Sequence, residues 1–148
     1  MMKSLFLATL LTLSAGAAPR GQQVNIKIGT ATFTATLDDT PAAKAFKARL
    51  PLTIRMSDLH RNEKFFDLLT GLPIRAVHPG TIRAGDLMLY GDRTVVLFYR
   101  SFPTSYTYTR LGRIHDPQGL AAAVGSGDVT VTFKLKKFWP EQLMSSPE

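Results

Sequence analysis

Strict alternation of apolar and polar residues recurs in several short segments of this chain, and it limits the fold more than any other feature. Successive side chains of a β-strand point to opposite faces, so each alternating segment predicts a strand with one buried and one solvated face. The alternating segments span residues 24–28, 31–37, 52–56 and 129–135. Residues 87–90 and 95–99 are instead apolar throughout, which is typical of strands covered on both faces. Many short strands of these two kinds predict a closed β-barrel or a sandwich.

The region from residue 79 to residue 113 continues this β-pattern and carries many of its polar side chains. A Gly91-Asp92-Arg93 turn joins the two apolar runs into a predicted hairpin. A strand rich in hydroxyl groups and tyrosine is predicted to follow over residues 102–110. The rim of the predicted barrel should therefore carry polar and aromatic groups.

Two short helices interrupt the predicted strands, and both carry the same start signal. Thr40 and Asp116 each supply a capping side chain directly before a proline at the first helical position. The helices are predicted over residues 41–50 and 117–124, each with apolar residues four apart on one face. Each helix is expected to close one open end of the barrel.

The first residues have the order of a secretory signal peptide. Lys3 gives a positive start, residues 5–13 form an apolar run, and Ala15 and Ala17 fit the small-x-small cleavage pattern. The run is too short to cross a bilayer core of about 30 Å. We therefore expect residues 1–17 to be removed, leaving a periplasmic or secreted chain without stable membrane insertion. The alternative is a buried N-terminal helix.

The rest of the chain matches a single domain, predicted over residues 22–136 and followed by a loose tail over residues 137–148. It contains no cysteine, so apolar burial and hydrogen bonds must hold the fold together, and thiol chemistry is excluded. The formal net charge of +7 is scattered along the chain apart from a small lysine group near residue 136. Such a distribution favours a solvated basic surface, and no nucleic-acid partner is expected.

Several segments together resemble the bacterial cyclophilin-like fold family. The segments that carry the resemblance are Asn62-Glu-Lys-Phe-Phe66, Gly85-Asp-Leu-Met-Leu-Tyr-Gly91 and Thr104-Ser-Tyr-Thr-Tyr-Thr109. They follow a strand hairpin and a capped helix, and the similarity covers about residues 24–133. The resemblance implies a closed barrel of about eight strands with two capping helices, in a family of largely uncharacterised activity. It implies no particular activity, because one fold can carry many functions.

Prolyl isomerisation is one activity that the resemblance raises. Cyclophilins hold a proline in an apolar pocket and point an arginine at its imide nitrogen, which lowers a barrier of about 20 kcal/mol. Arg55 on a predicted strand, followed by Phe65 and Phe66, is the candidate for that arrangement here. The glutamine and histidine that accompany such an arginine in cyclophilins are missing. Isomerase activity on exported proteins is therefore the alternative to binding, and catalysis is left open.

A set of aromatic and basic residues predicts a ligand-binding face. Tyr106, Tyr108 and Arg110 would share one face of the strand predicted over residues 102–110. Tyrosine offers contact area and a hydroxyl group, and arginine offers a planar fork for a carboxylate. The predicted ligand-binding residues are Arg55, Phe65, Phe66, Arg83, Tyr99, Tyr106, Tyr108 and Arg110. They would line a cleft for a peptide or a small anionic ligand. The alternative is an ordinary sheet face, because tyrosine and threonine are common in strands.

Other chemistry has weaker support in the sequence. A small-molecule enzyme could use Arg83, Asp86 and Tyr108 in a polar pocket. The three histidines are far apart and lack ligand spacing, so neither a metal site nor a cofactor is predicted. Asp116 stands beside His115, but a helix cap explains it better than a catalytic pair does.

Overall fold

The alternating segments form β-strands in the computed structural model, which describes residues 21–137. The strands are β1 (Gln23–Ile28), β2 (Ala31–Leu37), β3 (Leu52–Leu59), β4 (Glu63–Asp67), β5 (Ala76–Val77), β6 (Thr81–Ile82), β7 (Asp86–Tyr90), β8 (Thr94–Phe98), β9 (Phe102–Pro103), β10 (Tyr108–Ile114) and β11 (Val129–Leu135). The helices are α1 (Pro41–Lys47) and α2 (Leu120–Val124). The prediction of a mainly β fold is confirmed.

Eight of these strands close into an antiparallel barrel, as predicted. Their order around the barrel is β2, β1, β11, β3, β4, β8, β7 and β10, and the pairing of β10 with β2 closes the ring. Gly112 lies opposite Leu37 and Ile114 lies opposite Ala35 at this closure. Outside the ring, β5 pairs with β10, and β6 pairs with β9 in a separate two-stranded ladder.

The barrel encloses one apolar core, and a smaller apolar cluster lies on the outside of its wall. Phe46 of α1 and Leu120 of α2 are buried in the main core, so both helices cap the barrel as predicted. The outer cluster consists of Ile82, Met88, Val96, Phe98 and Tyr108, with Phe65 and Phe102 packed against it. Because β7 and β8 contribute to both clusters, the two wholly apolar runs are covered on both faces.

Both predicted helices are present, but each is shorter than predicted, and only α1 begins at its start signal. At α1 the Thr40 hydroxyl accepts a hydrogen bond from the Ala43 N–H, and the helix ends before Leu50. Asp116 accepts a hydrogen bond from the Gln118 N–H, within a turn that precedes α2. The prediction that Asp116 caps the helix is therefore wrong. Gly119 has a φ of 82°, which no helical residue adopts, so α2 begins only after it.

The strand predicted over residues 102–110 is interrupted. Phe102 pairs with Ile82 in the two-stranded ladder, and the Thr104 N–H donates to the carbonyl of Gly80. Tyr108 pairs with β5 outside the ring, and pairing with a barrel strand begins only at Thr109, opposite Leu89 of β7. Backbone N–H and C=O groups need hydrogen-bond partners. Residues 102–104 find theirs in residues 80–82 rather than in a strand of the barrel wall.

A buried lysine ties the loop between α2 and β11 to the barrel. The Lys64 Nζ donates to the carbonyls of Gly125 and Gly127 at 2.9 and 2.6 Å and pairs with the Asp58 carboxylate at 3.0 Å. The Tyr99 hydroxyl donates to the same carboxylate at 2.5 Å. Burial disfavours the ionised form of Asp58, but the hydrogen bonds from Tyr99, Lys64 and the backbone outweigh burial and lower its pKa.

The expected signal peptide over residues 1–17 and the expected tail, except for its first residue, lie outside the described residues. Within residues 21–137, no helix has the length and apolar character that crossing a membrane requires.

Candidate ligand-binding site

A cleft of about 310 Å³ lies on the outer face of the barrel, against β4, β8 and β7. The segment that carries Tyr106 and Tyr108 forms one of its walls. We call it the aromatic cleft. Its lining residues are Leu59, His60, Glu63, Phe65, Asp67, Tyr90, Thr94, Val96, Tyr106 and Tyr108. Of the described residues that line it, none is a lysine or an arginine, although the chain as a whole is basic.

The alternation of β4 places three side chains in this cleft. Glu63, Phe65 and Asp67 face outward, whereas Phe66 packs against the main core. The Thr94 hydroxyl of β8 donates a hydrogen bond to the Asp67 carboxylate at 2.6 Å. Strand pairing therefore fixes two carboxyl groups and one aromatic ring on the same outer surface.

Three tyrosine rings meet at this surface. The Tyr90 ring centroid lies 6.2 Å from that of Tyr106, with the planes at 80°, and 5.7 Å from that of Tyr108, with the planes at 55°. The Tyr108 ring also meets Phe98 edge-on at 5.4 Å, which anchors it in the outer cluster. Rings crossed in this way present ring faces as well as edges, and the face of an aromatic ring is electron-rich.

Glu63 carries the most buried carboxyl group of the cleft, with 8% of the residue exposed. No residue in the described part of the chain forms a hydrogen bond or an ion pair with its carboxyl group. Burial raises the pKa of Glu63, and nearby Asp58 raises it further, while His60 opposes both. Burial also raises the pKa of the Tyr108 hydroxyl, with an added contribution from Glu63. An ionised carboxyl group in a largely buried residue is unfavourable unless a ligand or water supplies a partner.

Two further concavities continue from the aromatic cleft. A concavity of about 280 Å³ shares Tyr90 and Tyr108 with the aromatic cleft. A third concavity, of about 480 Å³, shares Ile74 and Thr109 with the 280 Å³ one. We call the three together the outer groove. Of the seven large apolar side chains exposed among the described residues, five line this groove: Leu59, Ile74, Val77, Tyr90 and Tyr106. A contiguous apolar strip on a folded surface indicates contact with a ligand or a partner.

The structure brings three of the predicted ligand-binding residues together in the aromatic cleft, namely Phe65, Tyr106 and Tyr108. Arg110 lies at the far end of the outer groove, in the 480 Å³ concavity. Its Nε is 3.7 Å from Oδ2 of Asp38. Because the strand over residues 102–110 is interrupted, Tyr106 and Arg110 do not share one strand face.

Phe66 and Tyr99 lie away from the cleft. Phe66 faces the barrel interior, so the two adjacent phenylalanines of β4 serve opposite sides of the wall. Tyr99 is buried and donates its hydroxyl hydrogen to Asp58. Burial, followed by the hydrogen bond to Asp58, raises the pKa of Tyr99 to about 12. Both residues support the barrel rather than a ligand surface.

Arg55 also lies outside the cleft. It is exposed on β3, and its Nε is 3.4 Å from Oδ2 of Asp128. The arrangement expected for an isomerase, with Arg55 beside Phe65 and Phe66, is therefore not assembled in this structure.

Arg83 and Asp86 do not join Tyr108 in a polar pocket. The Arg83 side chain is exposed, and its backbone N–H donates to Oδ2 of buried Asp86 at 2.9 Å. Oδ1 of Asp86 accepts from the Nε of Arg113, also at 2.9 Å. Asp86 thus holds a turn and an ion pair, and neither it nor Arg83 lines the outer groove.

Sequence reasoning missed Glu63, Asp67 and Tyr90. The first two follow from period-two alternation with Phe65, a signal present in the sequence but hidden by the adjacent Phe66. Tyr90 ends an otherwise apolar run directly before a turn, and that position is commonly exposed. Within residues 21–137, no group of three histidine, aspartate or glutamate side chains is placed to hold a metal ion.

The closed barrel with two helical caps defines a small barrel domain of the cyclophilin architecture. The model of the cyclophilin-like family matches residues 26–134, and the chain belongs to that family. Its fold is similar to the solution structure of the hypothetical protein AF2241 from Archaeoglobus fulgidus, with a TM-score of 0.54, 17% sequence identity, and coverage of 81% of this chain and 100% of that one. At this identity the similarity concerns the fold alone. No curated protein sequence matches the chain.

Proposed function

We propose that this protein is an exported binding domain whose outer groove holds an extended peptide segment. The observation that carries the proposal is the strip of exposed apolar side chains along the groove. Ile74 and Tyr106 are 59% and 62% exposed, and both line the groove. Covering such side chains is favourable by roughly 25 cal/mol for each Å² of apolar surface removed from water.

The shape of the groove favours a peptide over a compact small molecule. Three adjoining concavities follow one another along the outer wall, which suits an extended chain with successive side chains. β5 (Ala76–Val77) is the last strand of its sheet, and no described strand pairs with its other edge. An open strand edge beside a groove can donate and accept backbone hydrogen bonds from a bound peptide.

The two ends of the groove differ in charge, which favours a peptide with a defined orientation. Glu63 and Asp67 lie at the end formed by the aromatic cleft. Arg75 and Arg110 lie at the other end, together with Asp38. Complementary charge at the two ends would set the direction of the ligand more than its affinity.

Backbone-resolved NMR titration tests the groove. A panel of blocked pentapeptides with varied central residues is added to ¹⁵N-labelled protein. We expect the largest shifts at residues 74–77, 90 and 106. Ile74→Ser should weaken binding several-fold, because it removes exposed apolar contact. Leu69→Ser is the matched control, because Leu69 is 95% exposed and lies outside the groove. Peptides that shift no groove residue, or equal effects of the two variants, would refute a peptide site here.

Export is the second part of the proposal. It is supported by the positive start at Lys3, the apolar run over residues 5–13 and the small residues Ala15 and Ala17. Expression of the full chain in a bacterial host, followed by cell fractionation and N-terminal sequencing, tests it. A processed chain beginning at Ala18 in the periplasm or medium is expected. An intact chain that stays in the cytoplasm would contradict export.

Binding without catalysis is proposed over prolyl isomerisation. The cyclophilin arrangement places an arginine next to the bound proline in an apolar pocket. Here Arg55 is engaged with Asp128, the aromatic cleft contains no described arginine, and Arg110 at the other end of the groove lies beside Asp38. A protease-coupled assay on proline peptides should show no rate above the uncatalysed reaction. An accelerated rate that Arg55→Ala abolishes would overturn this part of the proposal.

A further inference from the structure

The aromatic cleft combines features that suit a positively charged group. Its two carboxyl groups come from Glu63 and Asp67, and its tyrosine rings expose electron-rich faces to the same space. The described residues that line it include no lysine or arginine that could neutralise the carboxyl groups from within the protein. An anionic group would meet repulsion here, and a neutral apolar group would leave the Glu63 carboxyl group desolvated and unpaired.

The environment of Glu63 is an independent observation that also indicates a ligand in the aromatic cleft. More than nine-tenths of this residue is buried, the residue lines the cleft, and no described residue forms a hydrogen bond or an ion pair with its carboxyl group. By contrast, the other buried charged side chains of the barrel are fully partnered: Lys64 by Asp58 and two carbonyls, and Asp86 by Arg113. Glu63 is thus the buried charged residue whose carboxyl group lacks a partner within the described chain, and it is the group that a ligand in the cleft would complete.

We propose that the aromatic cleft is the pocket for a lysine or arginine side chain of the bound peptide. The proposal rests on the proposed peptide-binding function and names the side chain that this function recognises. The apolar stem of the side chain would lie against Phe65 and Val96 of the floor, where amphipathic side chains bury their methylene groups. Its cationic head would lie among Tyr90, Tyr106 and Glu63, where ring faces and a carboxylate both favour positive charge.

The charge of the head group separates this pocket from an ordinary apolar one. A pentapeptide with a central lysine is compared with one that carries norleucine, which keeps the stem and lacks the ammonium group. We expect the lysine peptide to bind the wild-type protein roughly tenfold more tightly, by NMR titration at neutral pH. Amide shifts should centre on residues 63–67 and 90. Equal affinity, or tighter binding of norleucine, would overturn the cationic pocket while leaving the peptide groove in place.

Two variants test whether the preference for the lysine peptide over the norleucine peptide arises in the aromatic cleft. Glu63→Gln keeps the shape of the side chain and removes its charge, so the preference for lysine over norleucine should fall to near unity. Tyr106→Leu removes an exposed ring without opening the core, and it should reduce the same preference. Arg55→Ala, outside the cleft, should leave the preference unchanged. A preference that survives both cleft variants would place the cation elsewhere and refute the proposal.

A small probe distinguishes failure of the pocket from failure of the peptide groove. Choline is compared with its uncharged isostere 3,3-dimethylbutan-1-ol in the same titration. If choline binds the cleft and no peptide does, the cationic pocket stands and the proposed peptide function fails. If neither choline nor the lysine peptide shifts residues 63–67, the cationic pocket is refuted, whatever the other peptides show.

Discussion

A carboxyl group that is buried without a partner makes stability depend on pH, and Glu63 is such a group. Burial raises its pKa, so the folded protein holds its proton more tightly than the unfolded chain does. Below the ordinary pKa of about 4.3, Glu63 is protonated in both the folded and the unfolded protein, so its burial brings no charge penalty to the free energy of unfolding. As the pH rises above that value, the unfolded chain ionises first, which lowers its free energy relative to that of the folded protein. Unfolding therefore becomes easier until the folded pKa has also been passed.

Glu63→Gln removes this penalty. Without ligand, the variant should be more stable than the wild type at pH 7, and the difference should vanish near pH 4. Urea unfolding followed by circular dichroism across that pH range measures the difference in free energy of unfolding. Asp67→Asn is the control, because Asp67 is exposed and accepts a hydrogen bond from Thr94. A wild type that is more stable than Glu63→Gln at pH 7 would show that Glu63 already has a partner within the protein.

Lys64 represents the opposite case, a buried charge with every partner in place. Lys64→Met keeps the length of the side chain but removes the cation beside the Asp58 carboxylate and leaves two carbonyls without this donor. We expect a loss of about 3–5 kcal/mol in the free energy of unfolding, measured by urea titration. Lys27→Met on the exposed side of β1 should cost less than about 0.5 kcal/mol.

A double variant separates two contributions to the lost stability, the unneutralised Asp58 carboxylate and the lost packing of the Lys64 side chain. Adding Asp58→Asn to Lys64→Met removes the uncompensated carboxylate and should recover part of the lost stability. If Lys64→Met were no more destabilising than Lys27→Met, the network around Asp58 would not stabilise the barrel.

Among the elements, the closure of the barrel depends on one close backbone approach. A Cβ atom on Gly112 of β10 would lie 2.4 Å from the carbonyl oxygen of Thr36 and 3.0 Å from the Cα of Leu37. Both are backbone atoms of β2, so neither can move aside as a flexible side chain could. Gly112→Ala should therefore cost about 1–3 kcal/mol by forcing β10 and β2 apart. Thermal unfolding provides the measurement.

Gly71→Ala is a matched control for steric crowding. Its Cβ would also come close to another atom, at 2.6 Å, but that atom is the carboxylate end of exposed Asp92, which can turn aside. We expect a change within about 0.5 kcal/mol. If the two alanine variants unfolded at the same temperature, the closure between β2 and β10 would not be as tight as the backbone distances indicate.

Element-scale patterns also explain which parts of the structure the sequence could predict. Alternation identified the strands that face one core, because burial on one side leaves a period of two in the residues. The segment over residues 102–110 has the same composition but leaves the barrel, since its first residues pair with β6. That pairing depends on contacts between segments twenty residues apart, which no local pattern contains.

The cleft was predicted only in part for the same reason. Phe65, Tyr106 and Tyr108 were found by type, whereas Glu63 and Asp67 required knowledge of which face of β4 is outside.

At the scale of the whole molecule, two electrostatic effects on a cationic ligand oppose each other. The chain carries a formal net charge of +7, which repels a lysine peptide at long range. The aromatic cleft attracts the same peptide at short range through a buried carboxyl group. Salt screens charges separated by more than about 10 Å at 0.1 M, and it screens buried neighbours much less. The approach of the peptide and its retention should therefore respond differently to salt.

We expect the association rate of a dye-labelled lysine peptide to rise by roughly twofold to tenfold between 0.02 and 0.5 M salt, because screening removes the repulsion. The dissociation rate should change little, because Glu63 holds the cation out of bulk solvent. Stopped-flow measurement gives both rates. For the norleucine peptide, neither the association rate nor the dissociation rate should change appreciably with salt. A dissociation rate that climbs steeply with salt would mean that an exposed group such as Asp67 holds the cation. Glu63→Gln would then leave the lysine preference intact, and the cationic pocket would lose its buried anchor.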